Sequence, residues 1–187
     1  MLKSTLSSPG GLSRAALGLA IVIALVLPSS STASPKGGIS ASEADALGPP
    51  GEIAALVSGR ATAPQAAPPA VRAAIEAANR IRNRPYLWGG GHGRWWSRGY
   101  DCSGAVSFAL HGGDLLDVSL DSRSLMRWDE PGEGRWITVY SNPRHAYAVI
   151  AGLRWDTAGN RRGISGPRWH LWQGNPRGFV ARHPAGY

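Results

Sequence analysis

Between residues 70 and 83, Val71, Ile75, Ala78 and Arg82 recur at helical spacing, which predicts an amphipathic helix over Ala70 to Asn83. Pro85 ends it, because the residue before a proline is driven out of helical dihedrals. A second helix is predicted from Cys102 to His111, with Ala105, Val106, Ala109 and Leu110 as its apolar face. Asp101 is a good N-cap for it, and Gly112-Gly113 supplies the stop. A short helix is expected from Ser122 to Trp128, before Pro131-Gly132. The pattern then shortens to β-rich runs: Trp136 to Tyr140, His145 to Ile150, Leu153 to Thr157, Trp169 to Trp172 and Phe179 to Arg182. Gly152, Gly159-Asn160, Gly166-Pro167 and Asn175-Pro176 separate them as turns, and Ala151-Gly152 predicts a tight hairpin. Helices followed by an antiparallel meander make an α+β domain.

Upstream of this domain the pattern is different. Lys3 and Arg14 precede an apolar run of 13 residues, Ala15 to Leu27, broken by Pro28 and followed by Ser31-Thr32-Ala33. That is the layout of a secretory signal over residues 1–33, since a bilayer span needs about 20 apolar residues. Residues 34–69 are rich in Ser, Pro, Ala and Gly and are expected to form a flexible linker. The folded domain is then residues 70–187, long enough to bury about two-thirds of its unfolded surface. The expected location is extracytoplasmic, in the envelope of a bacterium, with no stable membrane insertion after signal cleavage.

The full chain of 187 residues is 43% hydrophobic and 17% charged, with a formal charge of +8. That balance excludes wholesale disorder. The charge is dispersed, without a run of five or six basic residues or a known nucleic-acid module, so nucleic acid is not an expected partner. Dispersed positive charge favours anionic surroundings such as an envelope polymer. The loop Gly89-Gly90-Gly91-His92-Gly93 precedes no phosphate-loop Lys-Ser/Thr pair, which argues against a nucleotide cradle.

The sequence holds one cysteine, Cys102. In an exported chain an unpaired thiol is a bridge to another molecule, an inert core residue or a nucleophile. At the first position of a helix a thiolate meets favourable backbone dipoles, and nearby N–H groups can hold an oxyanion. Gly104, one turn in, would let a substrate backbone approach. A cysteine nucleophile needs a base. His145 opens a predicted strand, whereas His92 lies in a loop expected to be flexible, His111 at a helix end and His183 near the C-terminus. The base needs an orienting partner. Asp156 lies across the predicted hairpin, with His170 and Thr157 as competitors. One Cys and five scattered His show no zinc spacing, so no metal and no cofactor are expected. Of the eight Trp, Trp95-Trp96 in the loop before Cys102 is the pair singled out for substrate contact.

Pro85-Tyr86-Leu87-Trp88-Gly89-Gly90, then Tyr100-Asp101-Cys102-Ser103-Gly104, then His145 at a strand start, together resemble the NlpC-type cell-wall cysteine peptidases over residues 70–183. The resemblance implies a reduced papain-like fold, helices with the nucleophile at a helix N-terminus packed on a small antiparallel sheet. It also implies hydrolysis of peptide bonds in the stem peptides of peptidoglycan. Carried onto this chain, Cys102 is the nucleophile, His145 the base, and Tyr86 the tyrosine whose hydroxyl lies by the sulfur. Asp101 and Ser103 flank the nucleophile and shape the substrate site. Two departures stand out. Gly91 to Arg98 is an insertion, and the family's usual spacing to the third residue gives Thr157, whereas a hairpin one residue shorter gives Asp156. The rival functions are an inactive wall-binding module of the same fold and a Cys–His acyltransferase or amidase.

Overall fold

The computed structural model describes residues 52–159 and 165–187; the expected signal, the first part of the expected linker and Asn160 of the Gly159-Asn160 turn lie outside them. Within these residues the protein is α+β. A hairpin of β1 (Ala55–Val57) and β2 (Arg60–Thr62) is followed by α1 (Pro69–Ile81), α2 (Cys102–Gly112) and α3 (Ser122–Leu125). Six strands come next: β3 (Glu130–Pro131), β4 (Ile137–Asn142), β5 (His145–Ile150), β6 (Leu153–Asp156), β7 (Arg168–Leu171) and β8 (Val180–His183). They form one antiparallel sheet in the order β3-β8-β4-β5-β6-β7. Among the described residues no helix is long and apolar enough to cross a membrane.

Helix α1 buries Val71, Ala74, Ile75, Ala78 and Ile81, the i, i+3, i+4, i+7 stripe its sequence predicts. It stops at Ile81 rather than Asn83, because Asn83 takes a left-handed conformation with φ of 71°. Its partner α2 is buried from Cys102 through Leu110 and lies between α1 and strands β5 and β6. A Cβ on Gly112 would collide with Ala77 of α1, so the close approach of the two helices requires glycine there. Alternation along β5 sends Ala146, Ala148 and Ile150 into this core. Trp155 of β6 is fully buried and donates its indole N–H to the Ala105 carbonyl at 2.9 Å. Ala151 and Gly152 both have positive φ, the geometry of a two-residue hairpin turn.

Further expectations change. The sheet is a meander only from β4 to β7; β8 returns to pair with β4 on the far side, and β3 extends the edge. The linker expected up to residue 69 is folded in its described portion. Ala54, Ala61 and Ala67 are buried. The side chain of Asn79 in α1 accepts from Ala61 N–H at 3.1 Å, donates to Ala61 O at 2.8 Å and accepts from the Trp169 indole at 3.0 Å. A buried amide with all these partners fixes its neighbours, so β2, α1 and β7 are joined through one residue. The third predicted helix ends at Leu125 instead of Trp128.

Candidate active site

Cys102 opens α2, and Asp101 caps it, accepting from Gly104 N–H at 2.7 Å. The same carboxylate accepts from Gly89 N–H at 3.0 Å, from Ser103 Oγ at 3.2 Å and from His92 Nε2 at 3.0 Å. Burial works to raise the Asp101 pKa, but these hydrogen bonds and the His92 charge hold it below the usual carboxylate value. Asp101 is thus the knot that ties the glycine-rich loop to the start of the cysteine helix. That loop is not the flexible segment its composition suggests. Leu87 N–H bonds Tyr100 O, Tyr100 N–H bonds Pro85 O and Asp101 N–H bonds Gly90 O, at 3.2, 3.1 and 3.1 Å. The space above Gly104 is taken by the Gly90 carbonyl, which a Cβ would strike; the glycine serves the approach of the chain's own loop, not that of a substrate.

His145 is held at the start of β5 by its N–H, which donates to Asn142 Oδ1 at 2.9 Å. Its Nε2 donates to Asp156 Oδ1 at 2.8 Å, and its ring lies close enough to Cys102 for the sulfur to bear on its charge. With Nε2 taken, Nδ1 is the nitrogen left for sulfur. The register explains Asp156: Ile150 pairs with Leu153 and Ala148 with Trp155, so the next step places Asp156 beside Tyr147, on the face His145 shares. Asp156 is only 1% exposed. It also accepts from Arg154, through Nε at 2.8 Å, and from Ala158 N–H at 2.9 Å. Burial disfavours the charged His145 ring, but the hydrogen bond to Asp156, the nearby Cys102 sulfur and the charges on both raise its pKa to about 9. Burial likewise opposes the Asp156 carboxylate, but the His145 hydrogen bond and charge, the Ala158 N–H and the Arg154 charge together hold Asp156 below its ordinary pKa.

The three residues expected around the sulfur therefore come together, and of the competing third residues it is Asp156 that meets the imidazole. His170 stands on β7 opposite Arg154, with burial pushing its pKa down. Cys102, Asp101, Ser103 and Tyr86 all line one cleft of about 550 Å³. Burial, then the nearby Cys102 and Asp101 charges, raises the Tyr86 phenol.

Trp95 and Trp96 are not in that cleft. Trp95 stacks on His111 with ring centroids 3.8 Å apart, and its carbonyl accepts the Tyr100 hydroxyl at 2.8 Å. Trp96 packs edge-on against Phe108 at 5.2 Å. Residues 91–98 thus fold down on α2, and Trp95 borders a separate hollow with Gly91 and Ser119. The tryptophan that does border the cleft is Trp88, 85% exposed, present in the Pro85–Gly90 motif but not singled out from it. His92, Asp121, Arg123 and Arg144 also line it and carried no sequence signal of their own. Among the described residues no group of three or more His, Cys, Asp or Glu could hold a metal ion. No protein-family model matches the chain, and no curated protein matches its sequence.

Proposed function

We propose that the protein is a secreted cysteine peptidase that hydrolyses peptide bonds in peptidoglycan stem peptides, on a reduced papain-like fold. The observation that carries the reading is the chain Cys102–His145–Asp156 at the buried start of α2, opening on a cleft. The Cys102 sulfur attacks the scissile carbonyl while its proton rests on His145, which then delivers it to the leaving amine; water releases the acyl group from sulfur. Asp156 fixes the ring and stabilises its charged form. Gly104 and Ala105 N–H are bonded to Asp101, so the N–H groups of Cys102 and Ser103 are the helix-start donors for the oxyanion, with the Tyr86 hydroxyl beside them. Trp88 offers an exposed apolar face for the substrate.

Mass spectrometry of purified muropeptides incubated with the protein and with its Cys102→Ala variant tests this. The expected result is a fragment pair summing to substrate plus water, absent with the variant. Cleavage that survives the substitution would remove Cys102 from the mechanism. Retention of muropeptides without cleavage would favour a wall-binding module.

A further inference from the structure

The two oxygens of the Asp156 carboxylate have different partners. Oδ1 accepts from His145 Nε2 at 2.8 Å and from Ala158 N–H at 2.9 Å. Oδ2 accepts from Arg154, through Nε at 2.8 Å and through Nη2 as well. The acceptor sites of an ionised carboxylate are thereby filled. Arg154 reaches this position because it stands two residues before Asp156 on β6, so both side chains leave the same face of the sheet. Tyr147 on the neighbouring strand seats the guanidinium, whose carbon is 4.3 Å from the centroid of that buried ring, a cation–π contact that fixes the fork.

This pair differs from the pairs Arg60–Glu76 and Arg135–Glu52, which lie at the surface, where an ion pair is worth little. The Asp156 side chain is wholly buried, whereas 30% of the Arg154 side chain is exposed. A buried carboxylate is stable as an anion only with cations beside it, and His145 supplies one only while it is protonated. The groups around the carboxylate do not replace Arg154. Arg168, opposite Asp156 in the register, donates Nη1 to the Pro167 carbonyl at 2.9 Å. His170, opposite Arg154, has its pKa pushed down by burial and is neutral at pH 7. Burial pushes the Tyr147 phenol up to about 12, and Tyr140, stacked on it, donates to Glu133 at 2.7 Å. Cys102, at the start of α2, can carry only negative charge.

We propose that Arg154 is a positioning residue for the candidate base: it holds Oδ2 of Asp156 so that Oδ1 is aimed at His145, and it stays as the counter-charge of the buried carboxylate when His145 gives its proton away. This deepens the peptidase reading and rests on it for that proton transfer, but the charge balance is measurable without turnover. With the Arg154 charge removed, a neutral His145 faces a buried anion that has lost its second cation, so the ring holds its proton more tightly. NMR of ring-labelled histidine, with the His145 signal assigned through His145→Asn, follows this against pH. In Arg154→Gln and Arg154→Met the His145 midpoint is expected to rise by about one pH unit. In Arg154→Lys, which keeps the charge, it is expected to stay near that of the parent. Loss of a contact that merely packed β6 would instead let Asp156 drift from the ring and lower the midpoint. A midpoint unchanged or lowered in the neutral variants, or raised as far in Arg154→Lys, would overturn the counter-charge.

A second arm reads turnover of a muropeptide. A proton held about tenfold more tightly passes to the leaving amine up to about tenfold more slowly, so kcat is expected to fall by about that factor in Arg154→Gln, with KM within about twofold. Arg154→Lys is expected to restore it. A loss confined to KM, or turnover equal to the parent's in the neutral variants, would overturn the positioning role. If the parent cuts no muropeptide, the peptidase reading fails, and the titration alone then upholds or overturns Arg154 as the counter-charge of Asp156.

Discussion

His145 and His92 stand in nearly the same local chemistry. Each places Nε2 on an aspartate Oδ1, at 2.8 Å to Asp156 and 3.0 Å to Asp101. Each aspartate also accepts a backbone N–H a few residues ahead, from Ala158 and from Gly104. Both imidazoles are raised above their ordinary pKa, and both carboxylates are held below theirs. The difference is at the other ring nitrogen. That of His145 is left for Cys102, whereas Nδ1 of His92 meets Ser119 Oγ at 3.0 Å. Serine, imidazole and carboxylate even occur in the order of a nucleophilic triad, yet Ser119 sits in the irregular chain ahead of α3 and not at the first position of a helix, as Cys102 does. An imidazole–carboxylate pair is first a strut. It becomes a base where its free nitrogen faces a nucleophile set among unsatisfied N–H donors.

The largest test of that difference is to damage each carboxylate alike. Asp156→Asn keeps the shape but removes the charge that stabilises the His145 cation, and kcat/KM is expected to fall about 10³-fold or more. Asp101→Asn keeps a side chain that caps helices as well as aspartate does, and a loss of less than tenfold is expected. Steady-state kinetics on a cleaved muropeptide decides it; equal losses would make the two pairs functionally equivalent and sink the distinction.

Removing the carboxylate outright reverses the emphasis. Asp101→Ala deletes the α2 cap and leaves the Gly89, Gly104 and Ser103 donors and His92 without their acceptor. A loss of about 2 kcal/mol of stability in chemical denaturation is expected, the sum of a lost cap and partly buried unpaired groups. A variant as stable as the parent would mean that Asp101 does not tie the loop to the helix.

The two regions were also unequally legible. Cys102, Asp101 and His145 could be placed from local pattern: a cap before an apolar helix, a histidine opening an alternating strand, and a hairpin whose length brings Asp156 back. His92 could not, because its partners stand 9 and 27 positions away and a loop with so many glycines carries no periodicity. Arg123 and Arg144 share a cleft only because α3 lies on β4 and β5, a tertiary fact. The β8 return is non-local in the same sense, since the pattern of a strand does not say which edge it will join. The β1–β2 hairpin was readable in principle. Ser58-Gly59 between two three-residue runs is a turn signal, and both residues have positive φ, but the surrounding prolines and alanines outweighed it.

Titration separates the pairs by range. A His145 pKa raised from 6.5 to about 9 contributes stability that is complete below pH 6.5 and is lost as pH rises through about 9. The thermal midpoint should therefore decline by a few degrees between pH 6.5 and 9, and His145→Asn should flatten that decline. His92 is raised in the same direction, first by its hydrogen bond to Asp101 against partial burial, so a residual slope of the same sign should remain in that variant. A midpoint that rises across this range would contradict the charged state of both rings.

The smallest effect is expected at Ser119. Its hydroxyl is half-buried and bonds one nitrogen of a ring whose other nitrogen is held by Asp101. Ser119→Ala therefore removes a single hydrogen bond at a site water can reach, a change worth less than about 1 kcal/mol, and turnover should stay within twofold. A serine-directed fluorophosphonate should leave Ser119 unlabelled, because an attacking oxygen there would have no helix-start N–H groups to receive the charge that develops on its target. Labelling at Ser119 that disappears in His92→Asn would show a second working nucleophile, and the contrast between the two histidines would then lie in substrate access rather than in the surroundings of the nucleophile.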